Sequence, residues 1–268
     1  MYLNHWKLTN HPFDDVADSS FFVTSPTTEM LCADLHQAIV RRRGAIMMTG
    51  EIGCGKTTIS QQVLLQLQPE RYDIAWVTNA RLQPEPMLRE IAHQLNLELS
   101  GSDGDNNHLM RQLQNQMIRN AEQGRDSVIC IDEAQGIPSL DTFEELRIML
   151  NFQLDCRFLV TIFLIGQPEL KGIIAKIPQL KQRLALDLML GKYSLAETTH
   201  YMLHRLRVAG CNRPILTRQA ALSVFRHTQG IPRRVNHLMD HCLTVGMREN
   251  ASAINDKLVA LTVERYPY

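Results

Sequence analysis

A chain of 268 residues is long enough for one large domain or two modest ones, each with its own core. Its 44% hydrophobic content argues against a disordered chain, and the balance of 28 Lys and Arg against 28 Asp and Glu argues against nucleic-acid binding driven by overall charge. The six cysteines form no C-x-x-C pair, so neither a disulfide framework nor a sulfur-ligated metal is expected. The sequence lacks a signal peptide and an apolar run of membrane-spanning length, which predicts a cytosolic protein.

Short apolar runs alternate with helical segments between about residue 45 and residue 190, the pattern of strands and crossover helices in a parallel sheet. Four runs are almost continuously apolar, as expected for strands that are covered on both faces of the sheet. In a fifth run, leucines alternate with other residues. The predicted strands are 45–48, 74–77, 128–131, 158–165 and 184–190. Apolar faces predict helices around residues 87–95 and 109–117, with a polar loop at 100–106 between them.

After residue 190 the strand signals stop and signals for helix ends take over. Ser194 and Glu197 have the spacing of a capping box, and Thr217 and Asn255 are candidate N-caps of later helices. Gly230-Ile231-Pro232 interrupts the helical pattern between two of these helices. We therefore predict an α/β domain over residues 1–192, including an N-terminal segment, and a small all-α lid domain over residues 193–268.

The strongest motif follows the first predicted strand and opens a helix, the context in which a P-loop is meaningful. Its glycines allow main-chain N–H groups to surround phosphates, its lysine reaches the β and γ oxygens, and its threonine binds magnesium. The predicted nucleotide-binding residues are Gly50, Glu51, Ile52, Gly53, Cys54, Gly55, Lys56, Thr57 and Thr58. At the variable position of Cys54, a small tolerated side chain explains the residue better than a redox role does.

A second motif is the pair Asp132 and Glu133, which follows the apolar strand at 128–131. The carboxyl ends of parallel strands share one edge of the sheet, so this pair is expected beside the P-loop. In that position Asp132 would hold Mg²⁺ together with Thr57, and Glu133 would orient and polarise the attacking water. An acidic pair at a solvated turn is the alternative, which the position after the P-loop disfavours.

Three further polar residues are candidates for contact with the nucleotide. Gln167 follows the strand at 158–165 and could touch the γ-phosphate, or could merely end the strand before a proline turn. Arg183 precedes the fifth strand, where it could reach the nucleotide of a neighbouring subunit or could be an ordinary surface arginine. Arg233 opens a helix of the predicted lid and could reach back to the phosphates.

These motifs, in this order, resemble the AAA+ ATPases. More narrowly they are similar to the ExeA/GspA-like ATPases associated with general secretion and type IV pilus biogenesis, including the MshM branch. The matching stretches are Asn10-His11-Pro12-Phe13, Arg43-Gly44, residues 50–58, residues 131–135, Glu145-Leu146-Arg147, residues 164–170, Gln182-Arg183-Leu184, His204-Arg205-Leu206 with Ala209-Gly210, and residues 230–236.

The resemblance implies a P-loop NTPase fold, with ATP and Mg²⁺ as ligands and ATP hydrolysis as the activity. It gives Gln167 the sensor 1 role, Arg233 the sensor 2 role and Arg183 the place of an arginine finger, which implies a homo-oligomer. The client would be a protein complex of an inner-membrane secretion or pilus machine. Longer members of the family continue into a membrane span and a periplasmic module, so this chain is expected to reach the membrane through a partner.

Two other functions remain open from the sequence. The same ATPase core is similar to the TniB and MuB type of transposition regulators, which implies an ATP-dependent DNA-binding oligomer. A nucleotide-gated adaptor that scarcely hydrolyses ATP would carry the same binding motifs. The role of Glu133 distinguishes the two hypotheses. An ATPase needs a residue that activates water, whereas a passive nucleotide switch does not.

Overall fold

The computed structural model describes residues 2–15, 19–97, 106–155 and 157–267. Contacts divide the chain into two compact units. The helical unit consists of Met1–Pro26, Ile52–Gly55 and Gly191–Tyr268, and the sheet unit consists of Thr27–Glu51 and Lys56–Leu190. Most of the predicted polar loop, residues 100–105, lies outside the described residues.

All strands found among the described residues lie in the sheet unit. Their bounds are β1 Ala45–Gly50, β2 Tyr72–Val77, β3 Asp126–Ile131, β4 Gln153–Leu154, β5 Arg157–Phe158, β6 Val160–Gly166 and β7 Leu184–Leu190. Five of them form a parallel sheet in the order β2-β3-β6-β1-β7, and β4 and β5 form a small antiparallel hairpin. Every residue of β1 and β6 is buried, because helices cover both faces of the sheet centre.

The five predicted strands are confirmed: three are two residues longer than predicted, the fifth has the predicted bounds, and the fourth begins later than predicted. The fourth was predicted to begin at Phe158, but Phe158 pairs with Gln153 in the hairpin and the sheet strand starts at Val160. Between them, the amide of Leu159 donates to the carbonyl of Phe152 at 3.0 Å. The apolar run continues through this break, so hydropathy alone could not locate it.

Helices make up most of the remaining described chain. Their bounds are α1 Tyr2–Trp6, α2 Pro26–Val40, α3 Lys56–Leu65, α4 Pro84–Gln94, α5 Asn106–Glu122, α6 Leu140–Met149, α7 Glu169–Ile174, α8 Pro178–Gln182, α9 Leu195–Val208, α10 Arg218–Thr228, α11 Pro232–Arg248 and α12 Asp256–Arg265. No helix in these described ranges is both long and apolar enough to cross a lipid bilayer.

The predicted helix starts after residue 190 are confirmed in detail. Ser194 and Glu197 form a complete capping box at the start of α9. Thr217 accepts a hydrogen bond from the amide of Ala220 at the start of α10, and Asn255 accepts one from Leu258 at the start of α12. These caps satisfy amides that have no partner inside their own helices.

The N-terminal residues belong to the helical unit, whereas the predicted boundary grouped them with the sheet. The Trp6 side chain is fully buried, and its indole N–H donates to the carbonyl of Leu243 at 2.8 Å. The buried guanidinium of Arg205 donates to the carbonyl oxygens of Pro12 at 2.5 Å and Asp14 at 2.9 Å. These contacts join residues about two hundred positions apart, which local sequence patterns do not reveal.

Candidate functional site

The candidate site begins at the carboxyl edge of the parallel sheet. Strands β3, β6 and β1 are neighbours in the sheet order, and they run in the same direction. Their ends deliver Asp132, Gln167 and Gly50 to one edge, where α/β sheets bind their ligands. The structure therefore brings together the ends of three motifs that lie far apart in the sequence.

Lys56 is the first residue of α3, and its side chain is 5% exposed. Its ammonium group donates to the carbonyl oxygens of Gly50 at 2.8 Å and Glu51 at 3.1 Å. Both acceptors belong to the start of the same loop, so the lysine folds back across it. A buried ammonium needs such partners, and phosphate oxygens would be stronger replacements for the two carbonyls.

The loop residues Ile52–Gly55 lie in the helical unit. There, the carbonyl of Gly53 accepts a hydrogen bond from the amide of Arg233 at 3.2 Å. Gly53 has φ +81°, and a Cβ added to it would lie 2.9 Å from the Cβ of Arg233. Both the backbone conformation and the close approach therefore require glycine. Cys54 is 2% exposed, which supports packing rather than a redox role for its thiol.

Thr57 and Asp132 are in direct contact. The hydroxyl of Thr57 donates to Oδ2 of Asp132 at 2.7 Å, while Oδ1 of Asp132 accepts from the amide of Glu133 at 2.9 Å. Asp132 is only 8% exposed, so these donors stabilise a carboxylate that water scarcely reaches. A hydroxyl and a carboxylate are the oxygen ligands that Mg²⁺ prefers, so the paired residues fit this ion. Thr58, the next residue of α3, is half-buried.

Glu133 occupies a backbone conformation that is uncommon for residues other than glycine, with φ 51° and ψ 40°. Its exposed carboxylate accepts a hydrogen bond from Nε2 of Gln167 at 3.2 Å, and another from Nε2 of Gln135. The predicted water-activating and sensor 1 residues are therefore neighbours. Gln135 was missed as a site residue, although it lies in one of the stretches that carry the family resemblance.

The two arginine candidates have different surroundings. The guanidinium of Arg183 donates to the carbonyl of Leu150 at 3.3 Å and to Oδ1 of Asn151 at 2.7 Å, so residues following α6 of its own chain hold it. Arg233 is exposed and lies in the first turn of α11, beside Gly53. The assigned roles of arginine finger and sensor 2 stay predictions.

Cys130 lies in β3, two residues before the metal-site candidate Asp132. Burial, followed by the charge of Asp132, raises the pKa of the Cys130 thiol well above its ordinary value. A thiol with a raised pKa is a poor nucleophile and a poor metal ligand at neutral pH. Cys130 therefore serves the packing of the sheet rather than the chemistry at its edge.

Comparison with known proteins identifies the family. The model of an AAA domain family matches residues 39–174, which include the P-loop, the acidic pair and Gln167. General secretion pathway protein A of Aeromonas hydrophila is 31% identical over 257 residues, which cover 95% of this chain and 46% of that protein. The chain thus spans about half the length of this relative.

Solved structures show the same fold at low sequence identity. The ORC2 protein of Aeropyrum pernix, in its ADPNP-ADP complexes, superposes with a TM-score of 0.71 at 17% identity, covering 95% of this chain and 71% of that one. The ORC1 protein of the same organism, in complex with DNA, gives a TM-score of 0.69 at 16% identity, covering 97% and 69%. The predicted α/β P-loop fold, with helices flanking a parallel sheet, is confirmed. The chain belongs to the AAA domain family, as an AAA+ ATPase similar to general secretion pathway protein A.

Proposed function

We propose that this protein binds and hydrolyses Mg-ATP to change the conformation or assembly of a partner complex in secretion or type IV pilus machinery. The observation that carries the proposal is the 2.7 Å hydrogen bond between Thr57 and Asp132. It places the hydroxyl that follows the P-loop lysine against the carboxylate at the end of β3. A chance glycine-rich turn would not require this meeting of two distant sequence motifs.

Nucleotide binding would use the groups already gathered around the loop. Main-chain amides at the start of α3 would face the phosphates, where the positive end of the helix also attracts them. Lys56 would exchange its two carbonyl partners for β- and γ-phosphate oxygens. Thr57 and Asp132 would hold Mg²⁺, directly or through water. When bound there, Mg²⁺ would supply positive charge that stabilises the transferring phosphoryl group.

Hydrolysis would depend on the residues that follow β3 and β6. Glu133 would accept a proton from, or orient, the water that attacks the γ-phosphate. Gln167 already donates to Glu133, and a γ-phosphate oxygen would offer its amide an alternative acceptor. Loss of that phosphate would return the amide to Glu133. The present contact between Gln167 and Glu133 therefore supports a sensor role for Gln167.

Arg233 would report the phosphate state to the helical unit. Its amide is bonded to the carbonyl of Gly53, so a change in the phosphate loop would act on the start of α11. By the family resemblance, we propose the sensor 2 role for the exposed guanidinium of Arg233. Such a charge-driven change in one segment is a common origin of ATP-dependent switching.

Oligomer formation and partner choice extend the proposal beyond one chain. Arg183 would complete the site of an adjacent subunit after leaving Leu150 and Asn151. The similarity to general secretion pathway protein A supports a client in secretion or pilus machinery at the inner membrane. We propose a cytoplasmic location, with membrane contact made through that partner.

A DNA-binding transposition regulator is not favoured. The curated relative is named for general secretion, and the structures with DNA are below 20% identity, where likeness shows only the fold. The chain also carries no net charge that would attract DNA. ATP-dependent binding of duplex DNA that weakens steeply with salt would reverse this preference.

The test compares the wild type with Glu133→Gln, using Glu70→Gln as a control at an exposed position. Steady-state phosphate release and titration with a fluorescent ATP analogue are measured with Mg²⁺. We expect Glu133→Gln to keep nucleotide affinity and to lose about 100-fold or more in turnover, the usual contribution of a general base. Glu70→Gln should behave as wild type.

Two outcomes would refute the proposal. If the wild type does not bind Mg-nucleotide, the phosphate-loop assignment is wrong. If Glu133→Gln turns over as fast as the wild type, Glu133 does not activate water, and the adaptor hypothesis becomes the better one. Proteins that copurify with Glu133→Gln in the presence of ATP would identify the client, because a variant that retains ATP should hold its partner longer.

A further inference from the structure

Gln135 makes two hydrogen bonds that link Glu133 to the end of β6. Its side-chain oxygen accepts from the main-chain amide of Gln167 at 2.9 Å. Its side-chain nitrogen donates to Oε2 of Glu133. The side chain lies in the short turn Ala134–Gly136, so it reaches across from the strand end that carries Glu133 to the neighbouring strand end.

The direction of this bridge is set by chemistry. A main-chain N–H can only donate, so the oxygen of the Gln135 amide must face Gln167. The nitrogen of the same planar amide then points the other way, where it meets a carboxylate that can only accept. The bridge therefore requires an acceptor and a donor on one side chain, which glutamine supplies.

The fold leaves a space for this amide at Gly166, the last residue of β6. A Cβ at this position would lie 2.6 Å from Oε1 of Gln135 and 2.9 Å from Cδ2 of Leu170. Atoms do not approach so closely, so any side chain at position 166 would displace the amide or the leucine. The lack of a side chain at Gly166 therefore makes room for the side-chain amide of Gln135.

The carboxylate of Glu133 accepts hydrogen bonds from the side-chain amides of Gln135 and Gln167. It is exposed and extends from a left-handed backbone position. The amide of Gln167 meets the same oxygen, Oε2, but that amide is the group proposed to turn toward the γ-phosphate. The Gln135 contact can persist after that turn, because it depends on the main chain of Gln167 and not on its side chain.

We infer that Gln135 is a positioning residue for ATP hydrolysis, which holds the Glu133 carboxylate at a fixed place relative to the end of β6. This inference rests on the proposed hydrolytic function. Positioning of a catalytic group within a fraction of an ångström has large effects on rate, so loss of the bridge should reduce kcat and leave nucleotide binding intact.

Two substitutions separate the halves of the bridge. Gln135→Ala removes both hydrogen bonds, whereas Gln135→Glu keeps an oxygen for the Gln167 amide and loses the donor to Glu133. Gln94→Ala is the matched control, since Nε2 of Gln94 donates to Glu90 at 2.9 Å on the α4 helix. The measurements are kcat and KM for ATP, affinity for a fluorescent ATP analogue, and hydrogen exchange of the Gln167 amide by NMR.

We expect both Gln135 variants to lose about 10- to 100-fold in kcat, the usual effect of removing a group that orients a functional ligand or base. Nucleotide affinity should be unchanged in both. The Gln167 amide should exchange faster in Gln135→Ala and stay protected in Gln135→Glu, a difference that can be measured without ATP. Gln94→Ala should match the wild type in every assay.

Several results would overturn the inference. Wild-type kcat in either Gln135 variant would show that the donor to Glu133 is not needed, and unchanged exchange of Gln167 in Gln135→Ala would show that the bridge does not form. A rise in KM at constant kcat would assign Gln135 to binding instead. If Gln135→Ala does not fold, Gln135→Glu carries the test, because it keeps the acceptor and nearly the same volume.

Failure of the proposed function gives a different pattern. In that case the wild type itself shows no hydrolysis, and the role of Gln135 fails with it, while the exchange data still report whether the bridge exists. If the wild type hydrolyses ATP and the Gln135 variants match it, only the inference about Gln135 fails.

Discussion

Replacing Thr57 with valine removes one hydroxyl and keeps the shape of the side chain. Both residues are branched at Cβ, so the helix propensity at the start of α3 changes little. The lost hydrogen bond runs to Oδ2 of Asp132, a carboxylate that is 8% exposed. A hydrogen bond to a charged group contributes about 1.5–3 kcal/mol, and the orphaned oxygen has little water to replace it.

We therefore expect Thr57→Val to lower the free energy of unfolding by about 2 kcal/mol without nucleotide, which corresponds to a fall of about 4–8 °C in Tm for a domain of this size. Mg²⁺ should raise the ATP affinity of the wild type above its value in EDTA. In Thr57→Val this increase should be about tenfold smaller, which corresponds to about 1.4 kcal/mol. Differential scanning fluorimetry measures the first effect and titration with a fluorescent nucleotide measures the second.

Thr57→Ser serves as the control, because it keeps the hydroxyl and should stay close to the wild type in the response to Mg²⁺. An unchanged Tm in Thr57→Val would show that the contact with Asp132 contributes nothing to the folded state. An unchanged difference between Mg²⁺ and EDTA would remove Thr57 from the proposed metal site.

Three other substitutions test features outside the metal site. Arg205→Met should lower the free energy of unfolding by about 3 kcal/mol in urea titrations, because two main-chain carbonyls of the N-terminal segment lose a charged donor; a loss below about 1 kcal/mol would contradict this. Gly53→Ala should destabilise by at least about 1–2 kcal/mol, since φ is +81° and the new Cβ would approach Arg233, and wild-type stability would refute the strain. Burial, followed by the charge of His200, lowers the pKa of His204 in the folded protein. The His204 imidazole therefore binds a proton more readily in the unfolded chain, and the free energy of unfolding falls as the pH drops through about 6.5. Unfolding of His204→Gln should therefore depend less on pH between about 7.5 and 5.5, and equal slopes in both proteins would exclude His204 as a contributor.

The elements that the sequence predicted are those with local signals. Strands buried on both faces appear as apolar runs, and helix starts carry side-chain caps such as Ser194 and Asn255. The meeting of Thr57 with Asp132 also followed from local motifs, because parallel strands bring their carboxyl ends to one edge. No knowledge of side-chain packing was needed for these predictions.

The features that escaped prediction depend on packing between distant segments. Trp6 lies in the core of the helical unit, where its indole N–H donates to the carbonyl of Leu243. Nothing in the sequence around Trp6 indicates this partner. The side-chain contacts of Arg183 with Asn151 likewise depend on how α6 packs in the sheet unit. Gln135 was visible as part of a motif, yet its role emerged only from the space beside Gly166.

The assignment of loop residues Ile52–Gly55 to the helical unit has a consequence for chimaeric proteins. In a chimaera that takes residues 191–268 from a relative, the phosphate loop would keep its own sequence but would acquire new neighbours at Gly53. Affinity for nucleotide would then vary with the origin of the C-terminal segment, even with every residue of the P-loop motif held constant. The phosphate loop is, in this sense, specified by two separate stretches of the chain.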